Sequence, residues 1–139
     1  GYGDDPAFSI YVNHVKTKTG IRDRDRALTI TRLADVIKLV NDGKVDEARR
    51  LFNEEFYAPG HVPILLGRIG RRFGHTELSL MLAKMANVPP ALVIVEMLSD
   101  DGEALSKDIV AKIANNLGSI VVDGYEIIQE ANKRGIIST

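Results

Sequence analysis

The sequence predicts an α+β fold built in layers, with a mixed β-sheet flanked by helices. Short β-rich apolar segments alternate along the chain with segments of helical period. Turn-forming Gly, Asn, Asp and Pro stand between them. The scale fits one unit: 139 residues, 45% hydrophobic and 27% charged, suffice for a single domain with its own core, read as residues 1–139.

The elements follow in order. Residues 8–15 (Phe-Ser-Ile-Tyr-Val-Asn-His-Val) are β-rich and partly alternating, which predicts a strand. Residues 16–25 are polar, carry Gly20 and predict a loop. Leu28, Ile30, Leu33, Val36, Ile37 and Val40 recur near helical spacing, and Asn41-Asp42-Gly43 ends that helix. A second helix is predicted over residues 46–56, with Leu51 and Phe52 inward. Residues 57–63 read as a loop around Gly60, and Ile64-Leu65-Leu66 as a buried strand. Residues 67–74 form a basic, glycine-bearing loop with Arg68, Arg71 and Arg72. Leu78, Leu82 and Met85 set one face of a helix over residues 76–86, stopped by Asn87-Val88-Pro89-Pro90. The continuous apolar residues 91–97 predict a strand covered on both faces. After a turn at residues 99–103, Ser106 caps a helix that runs through Leu117 to Gly118. Residues 119–122 predict another strand, and residues 125–133 a last helix.

Composition narrows the functional classes. The apolar run 91–95 is far too short to span a bilayer, so no membrane partner is expected. With no cysteine, the chain has neither a disulfide framework nor thiolate chemistry. A net charge of −1 gives no basis for nucleic-acid binding, and the alternating Arg22-Asp23-Arg24-Asp25-Arg26 reads as a solvated, self-paired loop. A cytoplasmic setting is expected.

Chemically capable side chains fall where regular elements begin or end. His75 lies one residue before the predicted start of a helix, and Arg72 stands beside it. Free helix N–H groups and a planar guanidinium together suit phosphate oxygens; the same pattern also fits a basic surface loop with Thr76 as cap. Glu77 lies two residues from His75, a spacing that does not share a helix face, so it is read as a first-turn residue favoured by the helix dipole and not as a metal ligand. His61 follows Gly60 in a loop, where an imidazole serves as an acid–base group or as an ordinary surface residue. His14, on a strand, is read as structural. Glu96 ends the apolar run, where partial desolvation would make a carboxylate a better base and where a strand-end residue can equally turn outward. Ser99-Asp100-Asp101-Gly102 lacks the further ligands of a calcium loop and reads as a turn.

In combination these motifs resemble the 3,4-dihydroxy-2-butanone 4-phosphate synthase family of riboflavin biosynthesis. The matching segments, in order, are residues 8–15, Thr19-Gly20-Ile21 with Asp25-Arg26, and Pro59-Gly60-His61-Val62. Arg72-Phe73-Gly74-His75-Thr76-Glu77, then Glu96-Met97 with Asp100-Asp101-Gly102, complete the set. The resemblance covers nearly the whole chain, and its Leu-rich, compact character is similar to the archaeal branch.

The resemblance implies a lyase that converts D-ribulose 5-phosphate to 3,4-dihydroxy-2-butanone 4-phosphate and formate, with magnesium or manganese as cofactor. It implies His61 and Glu96 as the catalytic pair and His75 as the metal ligand. Thr19, Arg72, Phe73, Gly74, His75, Thr76 and Glu96 would then contact substrate. It also implies a homodimer with active sites near the subunit interface. The reaction begins with proton removal next to a ketone and continues through loss of water, skeletal rearrangement and formate release. A metal would hold the ketone and hydroxyl oxygens, and acid–base groups would pass protons repeatedly. The chain departs from the family at Phe73, where bacterial members usually carry Gly, and in the length of the loop from His61 to His75. The family's acidic Arg-Glu-x-Glu-type segment has no counterpart, so the chain is expected to be the C-terminal part of a longer enzyme. The competing expectation is a non-catalytic sugar-phosphate-binding or regulatory paralogue.

Overall fold

The structure is a computed structural model, and it describes residues 5–138. The elements run β1 (Phe8–His14), α1 (Asp23–Asn41), α2 (Val45–Glu55), β2 (Phe56–Leu65), α3 (His75–Met85), α4 (Lys107–Asn116) and α5 (Gly124–Lys133). The fold is α+β, as the alternation of elements predicts. Its sheet is smaller than expected: among the described residues it consists of β1 and β2, paired antiparallel.

The ladder is irregular between Phe8 and Tyr11 and again between Val12 and Asn13, and the second place is decisive. Val12 pairs with Val62, yet the next β1 residue, Asn13, pairs with Tyr57. Residues 58–61 therefore leave the ladder between two paired positions. The segment expected to be a loop around Gly60 is thus built into β2. Pro59 and Pro63 are compatible with this because a two-stranded sheet has only edge strands.

Helix α1 packs across this sheet. It begins earlier than the apolar spacing suggests, at Asp23, with Asp23 and Asp25 in its first turn and Lys38 in its last, each favourably placed in the helix dipole. Thr29, fully buried, ties helix to strand: its hydroxyl accepts the His14 N–H at 3.0 Å and donates to the Asp25 carbonyl at 3.0 Å. Gly43, at φ +78°, turns the chain from α1 into α2. From α2, Ala48 is buried, while Phe52 stacks on Phe56 with centroids 5.2 Å apart. His14 meets the edge of Phe56 at 5.6 Å.

His14 is structural, as expected. It is buried, accepts the Lys16 N–H on Nδ1 (3.1 Å) and donates from Nε2 to Glu55 (3.0 Å). Arg32 forks onto the same carboxylate at 2.7 and 2.8 Å. This pairing, opposed by burial and reinforced by His14, lowers the Glu55 pKa to about 2.

A second core joins α3 to α5. Met81, Ile127, Ala131 and Ile137 are its buried members, with Leu78 and Met85 packed alongside. α5 starts on a reciprocal cap: the Tyr125 N–H donates to Asp123, and the Asp123 N–H donates to Glu126. The turn expected at residues 99–103 is present, closed by the Gly102 N–H to the Ser99 carbonyl.

The strands expected at residues 91–97 and 119–122 do not form. Their sequences suit buried strands, but a strand needs a ladder partner, and none pairs with them among the described residues. Val95 stays 86% exposed and Ile120 82%. Leu98, just beyond the first run, makes an isolated bridge to Ala104.

The Glu55 network gives a signed pH dependence. A carboxylate whose folded pKa is depressed adds stability above its unfolded value and loses it as pH falls toward the folded value. Unfolding at graded pH should therefore show a contribution that disappears between the ordinary 4.5 and about 2. In Glu55→Gln this part of the acid limb should flatten, and the midpoint at neutral pH should drop.

Candidate active site

His61 closes the stretch that leaves the ladder, and its position is fixed from beneath. Gly60 lies directly on the β1 backbone: a Cβ there would fall 2.0 Å from the Val12 carbonyl carbon and 2.3 Å from the Asn13 nitrogen. No residue with a side chain fits without moving β1. The next residue is held by the Asn13 side chain, which is 2% exposed. The His61 N–H donates to Asn13 Oδ1 at 2.8 Å, and Asn13 Nδ2 lies 3.0 Å from His61 Nδ1 and 3.1 Å from the Tyr57 hydroxyl.

Asn13 is backed in turn by the loop that precedes α1. A Cβ on Gly20, which sits at φ +82°, would strike the Asn13 amide at 2.1 Å. That loop is wound around Asp25, which is 5% exposed. The carboxylate accepts the N–H groups of Lys18, Thr19 and Gly20, the Thr19 hydroxyl, and two bonds from Arg22 at 2.9 and 2.8 Å. Arg22, opposed by burial and aided by the Thr19 and Lys18 N–H groups, holds the Asp25 pKa well below the usual carboxylate range. Arg22–Asp25 and Arg26–Asp23 pair internally, so both acids of the alternating run are self-paired, but within a loop end and helix start instead of a loop. Thr19 is exposed while its hydroxyl is committed to Asp25.

The second half of the site is the loop before α3. His75 is the first residue of that helix, not the residue before it, and Gly74 is the N-cap in an extended conformation. Glu77, fully buried, has a larger part than first-turn stabilisation. It accepts the Arg68 N–H (3.0 Å), the Gly74 N–H (3.2 Å) and Arg72 Nη1 (2.8 Å). Burial pushes its pKa up; the Arg68 N–H, its own backbone N–H and Arg72 outweigh that and leave it lowered. Arg72 lies over Gly74, whose added Cβ would meet the guanidinium at 2.5 Å. Its Nε is buried and without a hydrogen-bond partner. Phe73, 41% exposed, and His75 face outward.

A cleft of about 430 Å³ runs between α1, β2, α3 and residues 90–95. His61, Thr76 and Arg26 reach it, and its walls are apolar, with Ile30, Leu65 and Leu80 among them. Among the described residues, no hydrogen bond or ion pair connects the side chains of His75 or Glu96 to His61 or Arg72. Glu96 is exposed, because the strand expected to bury it is not formed. The desolvation expected there is therefore not found.

The metal expectation meets a similar limit. Among the described residues, no group of three His, Asp or Glu side chains is placed to hold an ion. His75 alone does not suit magnesium or manganese, hard ions that prefer several oxygen ligands. These residues by themselves do not fit the cofactor.

Comparison with known proteins agrees with the motifs. The family described as 3,4-dihydroxy-2-butanone 4-phosphate synthase matches residues 3–130.

The chain belongs to the 3,4-dihydroxy-2-butanone 4-phosphate synthase family.

Similar proteins include the 3,4-dihydroxy-2-butanone 4-phosphate synthase of Methanosarcina mazei, 40% identical over 132 residues, covering 92% of this chain and 52% of that protein. The enzyme of the same name from Archaeoglobus fulgidus is 41% identical over 136 residues, 95% of this chain and 56% of that protein. The riboflavin biosynthesis protein RibBA of Bacillus mycoides is 36% identical over 99 residues, 69% of this chain and 22% of that protein. The chain thus spans about half the length of the archaeal relatives it matches. No described helix is long and apolar enough to cross a membrane.

Asn13 and the full part played by Glu77 emerge only in the structure. A polar residue between Val12 and His14 on a strand was the available signal for the first. For the second it was an acid three residues after an N-cap glycine, facing a basic loop.

The fit of Gly60 on β1 is testable. Gly60→Ala forces backbone against backbone, so chemical denaturation should show a loss of about 1–3 kcal/mol, the usual cost of overpacking. Unchanged stability would mean that the stretch 58–61 does not lie against β1.

Proposed function

We propose that this chain carries part of the active site of an enzyme converting D-ribulose 5-phosphate to 3,4-dihydroxy-2-butanone 4-phosphate and formate. The family match carries this reading, because residues 3–130 include all the candidate positions from Thr19 to Glu96. His61 and Glu96 are the proposed proton-transfer groups. Arg72, Phe73, Gly74, His75 and Thr76, with Thr19, are the proposed substrate contacts.

The geometry supports parts of this division. His61 lines an apolar cleft while itself exposed, so it is open to a substrate that enters there. The Arg68–Gly74 backbone is held by Glu77 against the start of α3, so the helix N-terminus and Arg72 keep a fixed relation suited to a phosphate. The phosphate would serve as a remote handle whose binding energy positions the reacting carbons.

A magnesium or manganese ion with His75 as one ligand belongs to the same proposal. So do a homodimeric assembly and a cytoplasmic setting. The ion needs oxygen ligands beyond those the described residues assemble. No nucleic acid or membrane enters the reading.

The deciding assay is formate release from ribulose 5-phosphate with magnesium, on the intact protein. Release of formate is expected; none from a folded protein would refute the proposal. His61→Ala and Glu96→Ala should each lower turnover by about 10²-fold or more with the fold retained, the scale of general acid–base assistance. Near-normal turnover in either variant would remove that residue from the chemistry.

A further inference from the structure

We propose that Asn13 is a positioning residue that fixes His61 in one tautomer, with the ring proton on Nε2. This rests on the reading of His61 as a group that meets the substrate.

The orientation of the Asn13 amide is set first. The His61 backbone N–H points at one of its two ends, 2.8 Å away, and only the oxygen can accept it. A flipped amide would bring two donors together. With the oxygen so placed, the NH₂ end lies 3.0 Å from His61 Nδ1, while Oδ1 is farther from that nitrogen, at 3.4 Å, and already engaged. Nδ1 therefore accepts a hydrogen bond. A neutral imidazole carries one proton, so it resides on Nε2.

The amide has little freedom to choose otherwise. It is 2% exposed, and Nδ2 also lies 3.1 Å from the Tyr57 hydroxyl. Gly20 closes the other side, since even a methyl group there would overlap the amide. Gly20 is itself held by its N–H to Asp25 at 3.0 Å. An ordered path thus runs from Asp25 through Gly20 and Asn13 to the ring.

The tautomer decides what His61 does. Its acceptor lone pair is spent on Asn13, so the ring edge away from Asn13 offers an N–H. His61 is therefore the acid of the proposed proton-transfer pair, donating from Nε2 to a substrate oxygen where negative charge develops, and the initial removal of a carbon-bound proton falls to a different group. Serine in place of asparagine would lose the two-ended grip, and aspartate would reverse it.

Nitrogen-15 NMR of the histidine rings tests this on the wild-type protein. At a pH where the ring is neutral, the His61 proton is expected on Nε2, with Nδ1 showing the shift of an unprotonated nitrogen. A proton on Nδ1 would overturn the proposal without any variant. In Asn13→Asp, the carboxylate can only accept, so the proton should move to Nδ1. Turnover should then fall about tenfold or more with KM within about threefold. An unmoved proton, or a moved proton with unchanged turnover, would equally overturn it. The outcome is separable from the activity reading: a fully active His61→Ala would end that reading while the tautomer stood.

Discussion

The side of the molecule that holds His61 depends on one loss of step between two strands. β1 advances by one residue from Val12 to Asn13 while β2 passes from Val62 to Tyr57. The extra backbone has to go somewhere, and it folds onto β1 because Gly60 permits contact that no side chain could. A departure from a ladder exposes unpaired backbone groups. Asn13 resolves part of this by accepting the His61 N–H, so the same amide repairs the ladder and orients the ring. Structure and chemistry are coupled here through a single buried side chain.

Buried or partly buried carboxylates do the comparable work elsewhere. Asp25 gathers the backbone of residues 18–20, Glu77 gathers the N–H groups of Arg68 and Gly74, and Glu55 joins α2 to His14 on β1 and Arg32 on α1. Each replaces lost hydration with several donors, one of them an arginine, which is the condition under which a buried charge is tolerated. The consequence is that the loops before α1 and α3 are held in place although they contain few apolar residues. Loops that carry function are usually mobile; these are fastened from within.

Much of the helical architecture could be read from the sequence, because spacing, caps and glycine stops are local signals. β1 and α1 to α5 lie close to where residues 8–15, 28–40, 46–56, 76–86, 106–117 and 125–133 suggest them. The apolar runs at 91–97 and 119–122 misled for a physical reason: β-propensity states what a segment would suit, while a strand exists only with a partner. Of the candidate residues, His61, Arg72, His75 and Glu96 stood out by chemistry and motif. What could not be read was the second rank behind them. Asn13 is 48 residues from His61 and Asp25 acts through backbone groups, so neither relation has a sequence period. The link between Glu96 and His61 rests on family resemblance, and the exposed position of Glu96 shows no contact that would make it.

The central claim is that His61 is fastened, although it sits in a stretch that has left the ladder. Hydrogen exchange at the His61 backbone amide tests it most directly. Donation to a buried acceptor predicts exchange slower than in an unstructured chain by roughly a hundredfold or more, comparable with the His14 amide, which donates to the buried Thr29 hydroxyl. Exchange at the free-chain rate, with His14 protected, would contradict the account.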